Sequence, residues 1–405
     1  MTAPHRNIDR LLRSIAALAA VALSYVNQPV ALGDGAMPTK VIATDVQRFT
    51  VYHSPQTPGY TCWAGAWVMP DGTLMVSFHQ ATGPFSNRPH APKEILRKLT
   101  WPPGDGTNFG YDMTGLIQQV IYLASTDDGH TWRQVATYPY HSPMNGISKG
   151  PVALPDGTII REVFGHYLPF WDVPQTGYVQ HSTDRARSWG PPEPFMDPAE
   201  FMTWPGRLRL LHDGRPVLLG AYAKRIPGVE TRAQWQSHMT LALWISSDGG
   251  HTWSEPIEVL PPGIGHDNEC DCAELPDGRL LVVSRVDKPI PPHSAPRWQS
   301  ILEPEGDTFR LVSAEPAPFP HSGYPDVLAT REGVALHLAS TGIHWTADAG
   351  QTWHDLGIGG TGYYPHSVQL PDGTIFCVYH RGGDNPYDGS IDQEIQALTF
   401  RLQVE

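Results

Sequence analysis

Ser246-Ser-Asp248-Gly-Gly250-His-Thr-Trp253 recurs three more times along the chain in nearly the same form: Ser125-Thr-Asp127-Asp-Gly129-His-Thr-Trp132, Ser182-Thr-Asp184-Arg-Ala-Arg-Ser-Trp189 and Thr346-Ala-Asp348-Ala-Gly350-Gln-Thr-Trp353. An internal repeat of this kind settles architecture before any single residue does. The Asp and the Ser or Thr side chains are suited to bond backbone amides inside a tight turn, and Gly supplies a positive φ. The Trp offers a large flat surface for packing between neighbouring sheets.

A second repeat marks hairpins. Met69-Pro-Asp-Gly-Thr-Leu, Leu154-Pro-Asp-Gly-Thr-Ile, Leu211-His-Asp-Gly-Arg, Leu275-Pro-Asp-Gly-Arg-Leu, Thr330-Arg-Glu-Gly-Val and Leu370-Pro-Asp-Gly-Thr-Ile are six turns flanked by runs of Val, Ile, Leu and aromatics.

The octapeptide resembles the Asp-box (BNR repeat) of sialidase-type β-propellers, where each copy closes the hairpin between the third and fourth strands of a blade. With six hairpin turns, the resemblance implies an all-β, six-bladed propeller of four-stranded antiparallel blades. The blades read as 60–135, 145–195, 204–260, 268–315, 322–357 and 363–402. Blade four carries a degraded copy, Glu303-Pro-Glu-Gly-Asp307-Thr-Phe309, and blade six has none. Lys40 to His53 has the alternation to complete the last blade as an added N-terminal strand, which would hide both sheet edges.

Composition agrees. Forty prolines, 39 glycines and 13 tryptophans in 405 residues suit many short strands with punctuated turns. No polar linker interrupts the pattern, so residues 37–405 read as one domain. A net charge of −13 argues against a nucleic-acid partner, since such binders usually show a basic face. The four cysteines are too few for a disulfide scaffold; Cys270 and Cys272 point to the same side of one strand and lack a second pair at ligand spacing. Neither a metal nor a cofactor is expected.

Residues 1–36 read as a signal peptide or a disordered N-terminal segment. His5, Arg6, Arg10 and Arg13 precede the apolar run from Ile15 to Leu23, and Ala31-Leu-Gly33 offers small residues for cleavage. The run is too short to span a bilayer. Secretion or export to the periplasm is expected, with a cytoplasmic location as the alternative.

Chemistry in such a ring belongs to the central cavity, where the starts of the innermost strands converge. There the resemblance to sialidases becomes specific. Gly362-Tyr363-Tyr364-Pro-His-Ser-Val-Gln-Leu-Pro-Asp-Gly-Thr-Ile-Phe-Cys-Val-Tyr379-His380-Arg-Gly is similar to the segment bearing the family's catalytic tyrosine and places Tyr364 on it. Asn268-Glu269-Cys-Asp-Cys-Ala-Glu-Leu, leading to Arg285, looks like the segment bearing the catalytic glutamate and an arginine. The resemblance implies Tyr364 as nucleophile and Glu269 as its base. A neutral phenol avoids the repulsion that an Asp or Glu nucleophile would meet from a carboxylate on the anomeric carbon. Asp112, ahead of the first octapeptide, is the matching general acid. The family grips its substrate with three arginines, yet only Arg285 stands in register: Cys62 and His380 occupy the places of one arginine and its supporting glutamate.

Further substrate-binding candidates at central positions are His366, His380, Arg381, Arg207, Trp63 and His321, with Lys149 and Arg161 as other cations there. The expected activity is exo-acting release of a terminal acidic sugar, sialic acid or a related one, from a glycan. Two alternatives stay open: a polysaccharide lyase or non-sialic glycosidase using central His, Tyr and Arg, and a non-catalytic propeller that binds glycan or protein.

Overall fold

A computed structural model describes residues 38–57, 59–90, 92, 114–139, 149–163, 177–229, 238–264, 269–286, 297–319, 323–381 and 394–405. Among them there is no helix, and 24 strands form six four-stranded antiparallel sheets. Blade one runs from β2 (Tyr60–Val68) through β3 (Leu74–Thr82) and β4 (Ile117–Ser125) to β5 (Arg133–Pro139). Blade two holds β6 (Val152–Ala153), β7 (Ile159–Val163), β8 (Tyr178–Ser182) and β9 (Glu193–Pro194), and blade three β10 (Phe201–Leu210), β11 (Pro216–Lys224), β12 (Thr240–Ile245) and β13 (Ile257–Glu258). Blade four comprises β14 (Cys270–Glu274), β15 (Leu280–Arg285), β16 (Arg297–Glu305) and β17 (Thr308–Pro316), and blade five β18 (Asp326–Ala329), β19 (Ala335–Ala339), β20 (Gly342–Thr346) and β21 (His354–Asp355). Blade six consists of β22 (Tyr363–Gln369), β23 (Ile375–His380) and β24 (Glu394–Val404), completed on its outside by β1 (Val41–His53).

The closure is the one the N-terminal alternation predicts. β1 runs antiparallel to β24 from Val41 opposite Val404 to His53 opposite Glu394, so the two ends of the chain seal one sheet and leave β24 no open edge.

The octapeptides explain how blades lock. Ser246 Oγ accepts the Gly250 N–H at 2.7 Å and donates to Asp248, whose carboxylate takes the Thr252 N–H at 2.8 Å and hydroxyl at 2.6 Å. The same bonds recur around Ser125, Ser182 and Thr346. Each turn leans on the blade before it. Trp132 packs on Phe376 of blade six, Trp189 on Tyr122 of blade one, and Trp353 on Phe319 of blade four while donating to Gln299. In the degraded copy of blade four, β16 and β17 instead continue into a tight hairpin with Gly306 at φ 65°. Cys270 and Cys272 do share one face, in the apolar layer with Trp204 and Leu219, and all four cysteines are free and buried.

Candidate active site

The six innermost strands start around one end of the channel, and three of them are bulged near that end. Register shifts fall between Cys62 and Gly65 in β2, Pro205 and Arg207 in β10, and Tyr363 and His366 in β22. A bulge re-aims side chains. Two of these bulges hold a bulky residue at positive φ, Trp63 at 52° and Tyr364 at 51°, a conformation that costs about 1–3 kcal/mol and persists where the surroundings over-determine it.

Tyr364 is thereby turned across the channel to Glu269, at the start of blade four. Its hydroxyl donates to Glu269 Oε1 at 2.7 Å, and Arg285 Nη1 donates to Oε2 at 2.7 Å. Each carboxylate oxygen thus takes a different donor, and the arginine fixes the rotation that points Oε1 at the phenol. Aromatic neighbours hold the ring: His380 lies nearly parallel at 5.5 Å, Tyr324 tilts at 5.5 Å, and Trp63 meets it edge-on at 6.5 Å. The Lys149 ammonium sits 5.5 Å from the centre of the Tyr364 ring and 4.9 Å from that of Tyr324. Lys149 is held there by its backbone, because Glu162 Oε1 accepts the N–H groups of Lys149 and Gly150 at 2.5 and 3.1 Å. The result is a carboxylate-supported phenol with two cations, Arg285 and Lys149, on its margins.

Three expected substrate contacts take other roles. Arg207 is fully buried and bound to Asp271 at 3.0 Å, Asp326 at 2.8 Å and the Pro365 carbonyl at 3.0 Å, with the Tyr324 ring over its guanidinium. Arg209 joins the same aspartates. The pair of arginines holds the Asp271 carboxyl below the usual carboxylate range. This layer ties blades three, four, five and six together beneath the Tyr–Glu pair. His366 and His380 are equally internal. His366 Nδ1 accepts the Ala66 N–H at 2.7 Å and His380 Nδ1 accepts the Trp63 N–H at 3.3 Å, so both fasten the bulged β2 to blade six. Burial pushes the His380 imidazole down to about 3 and, with Arg207 and Arg209 nearby, the His366 imidazole well below its ordinary value. Both rings are buried, and Nδ1 of each is engaged as a backbone acceptor.

Trp63 lies in the floor, stacked at 5.4 Å on His79, which burial pushes down to about 3. Cys62 Sγ is 3.6 Å from His79 Nδ1, so a compact aromatic layer fills the place where the resemblance put an arginine. Arg381 is exposed at the end of β23, and its N–H donates to the Glu394 carbonyl. Asp112 and His321 lie outside the described residues. A separate cavity of about 280 Å³ opens at the opposite end, where Arg209, Glu274, Arg331 and Gln369 line the ends of the innermost strands. The Arg207–Arg209–Asp271–Asp326 layer divides it from Tyr364. The sequence did not reveal this layer or the twin bulges; Asp271 and Asp326 do fall at inner-strand starts, which is the signal that could have found them.

No family model and no curated protein sequence matches the chain. Solved structures do. A protein of unknown function from Dyadobacter fermentans is 18% identical and superposes with a TM-score of 0.60 over 90% of this chain and 100% of its own. The intramolecular trans-sialidase of Ruminococcus gnavus is 11% identical, with a TM-score of 0.53 over 87% of this chain and 97% of its own. An α-L-arabinanase of Penicillium chrysogenum is 14% identical, with a TM-score of 0.54 over 88% and 98%. At such identities the likeness carries the fold: this chain is a six-bladed β-propeller whose neighbours include glycoside hydrolases.

Proposed function

We propose that the protein is an exo-acting retaining glycoside hydrolase that releases a terminal acidic sugar, sialic acid or a related one, from a glycan. The observation that carries this reading is Tyr364 hydroxyl to Glu269 at 2.7 Å, with Arg285 on the other carboxylate oxygen. In the proposed reaction Glu269 takes the phenolic proton as Tyr364 oxygen bonds to the anomeric carbon, and the bond to the leaving oxygen breaks. That oxygen receives a proton from a general acid, for which Asp112 remains the proposal. A water molecule deprotonated by that same residue then cleaves the glycosyl–tyrosine bond, and the phenolate recovers its proton from Glu269. Retention follows from two displacements.

Arg285 and Lys149, on the margins of the Tyr364 ring, would receive the sugar's carboxylate. The described histidines give a base-catalysed elimination little support, since His366 and His380 use Nδ1 as backbone acceptors. An export signal in residues 1–36 would bring the enzyme to glycans outside the cytoplasm.

The test is product analysis on sialylated, other nonulosonic and uronic-acid-capped glycans, with the anomeric configuration followed by NMR. Release of an acidic monosaccharide with retention, reduced at least about 10³-fold by Tyr364→Phe and by Glu269→Gln, is expected. Product formation that survives Tyr364→Phe, an unsaturated product, or binding without turnover would each replace the proposal.

A further inference from the structure

On the outer rim, away from the channel, blades two and three meet at two imidazoles and one carboxylate. His181 is the penultimate residue of β8, Glu193 opens β9, and His251 belongs to the octapeptide turn of blade three. The two rings are stacked 4.2 Å apart and 18° from parallel. Their Nδ1 atoms address the same side chain: His251 Nδ1 is 3.0 Å from Glu193 Oε2, and His181 Nδ1 is 3.9 Å from Glu193 Oε1. One ligand atom from each of the three residues lies within 4.8 Å of the others.

The tautomer of His181 is fixed by its surroundings. Nε2 is 3.0 Å from the Gly249 carbonyl, which can only accept, so Nε2 carries the hydrogen. In the neutral ring Nδ1 therefore presents a lone pair. That atom is buried, has no hydrogen-bond partner and faces a carboxylate oxygen. Two electron-rich atoms opposed in this way call for a cation between them. An imidazole that donates one nitrogen to a backbone carbonyl and offers the other is also the arrangement that orients a metal-bound histidine. Gly250, at φ 94°, keeps the turn in place: a Cβ there would stand 3.1 Å from His181 Nε2.

We propose that His181 Nδ1, His251 Nδ1 and a Glu193 oxygen bind a divalent transition-metal ion of the zinc class, with a fourth position open to water, clamping blade three to blade two. Two nitrogens and one oxygen suit zinc's borderline preference. Bonds of about 2.0–2.1 Å place the ligand atoms of a tetrahedral zinc site about 3.4 Å apart; His251 Nδ1 stands 3.0 Å from Glu193 Oε2, and on binding the largely exposed His251 ring would leave its stack on His181 so that both in-plane lone pairs converge on the ion. This site runs against the expectation of no metal and is independent of the chemistry at Tyr364.

The test uses the full-length, untagged protein stripped with chelator. Thermal unfolding is followed with and without Zn²⁺, and Co²⁺ is titrated as a spectroscopic substitute. At a zinc concentration about 100 times the Kd, Tm is expected to rise by about 3 °C, and Co²⁺ to give the intense visible bands of a tetrahedral site. Both responses are expected to vanish in His251→Ala, whose side chain is largely exposed and tolerates truncation, and to weaken in Glu193→Gln. No response in the wild type, or responses retained in both variants, would overturn the proposal. So would a rim stabilised on acidification alone, which would assign the gap to a proton.

Discussion

Tyr364 owes its position to a local defect rather than to a regular strand. Its φ of 51° and the register shift in β22 cost free energy, and they aim the phenol at Glu269. The histidines around it are structural, which has a consequence in acid. Burial pushes His79 and His380 down to about 3 in the folded chain, against about 6.5 unfolded. Between those values the unfolded state binds more protons. The stability from each is therefore complete above pH about 6.5 and lost as pH falls toward 3, a loss of about 1–2 kcal/mol per histidine at pH 5. Urea midpoints at pH 7.5 and pH 5 should differ by less in His380→Gln than in the wild type, because the amide still accepts from Trp63 and does not titrate. An equal difference in both would remove His380 from this account.

Two elements hold the ring, and each makes its own prediction. In the octapeptide of blade three, Ser246 is buried and its hydroxyl accepts the buried Gly250 N–H. Ser246→Ala leaves that donor without a partner and should cost about 1–3 kcal/mol, read as a lower urea midpoint with unchanged m. No measurable change would show that solvent replaces the hydroxyl. β1 acts at larger scale, since its ladder covers the whole length of β24. A chain starting at residue 54 should aggregate or unfold through its exposed edge strand, and a synthetic peptide of residues 38–53 added during refolding should recover folded protein. Recovery without the peptide would refute the strand's role as closure. Both devices are readable in the sequence, because hairpin turns, the octapeptides and strand alternation are local patterns.

Across the whole molecule, the buried Arg207–Arg209–Asp271–Asp326 layer joins blades three to six and forms the base of the candidate site. Arg207→Leu strands two buried carboxylates on one remaining arginine and should destabilise by about 3–5 kcal/mol; adding Asp326→Leu should restore part of that loss. Calorimetry or urea unfolding of the single and double variants decides it, and a double variant less stable than the single would mean that packing, not charge balance, dominates.

By itself the sequence determined the ring, its six blades and its N-terminal closure, because repeated turns and strand alternation are written in residues adjacent along the chain. Only the tertiary structure decided which central residues face the channel. Arg207, His366 and His380 sit at the expected inner positions, yet each meets a partner on another blade, 64 or more residues away, that withdraws it from solvent. The bulges that turn Trp63 and Tyr364, and the meeting of His181 with His251, depend likewise on how one blade packs against the next, and no local pattern encodes that.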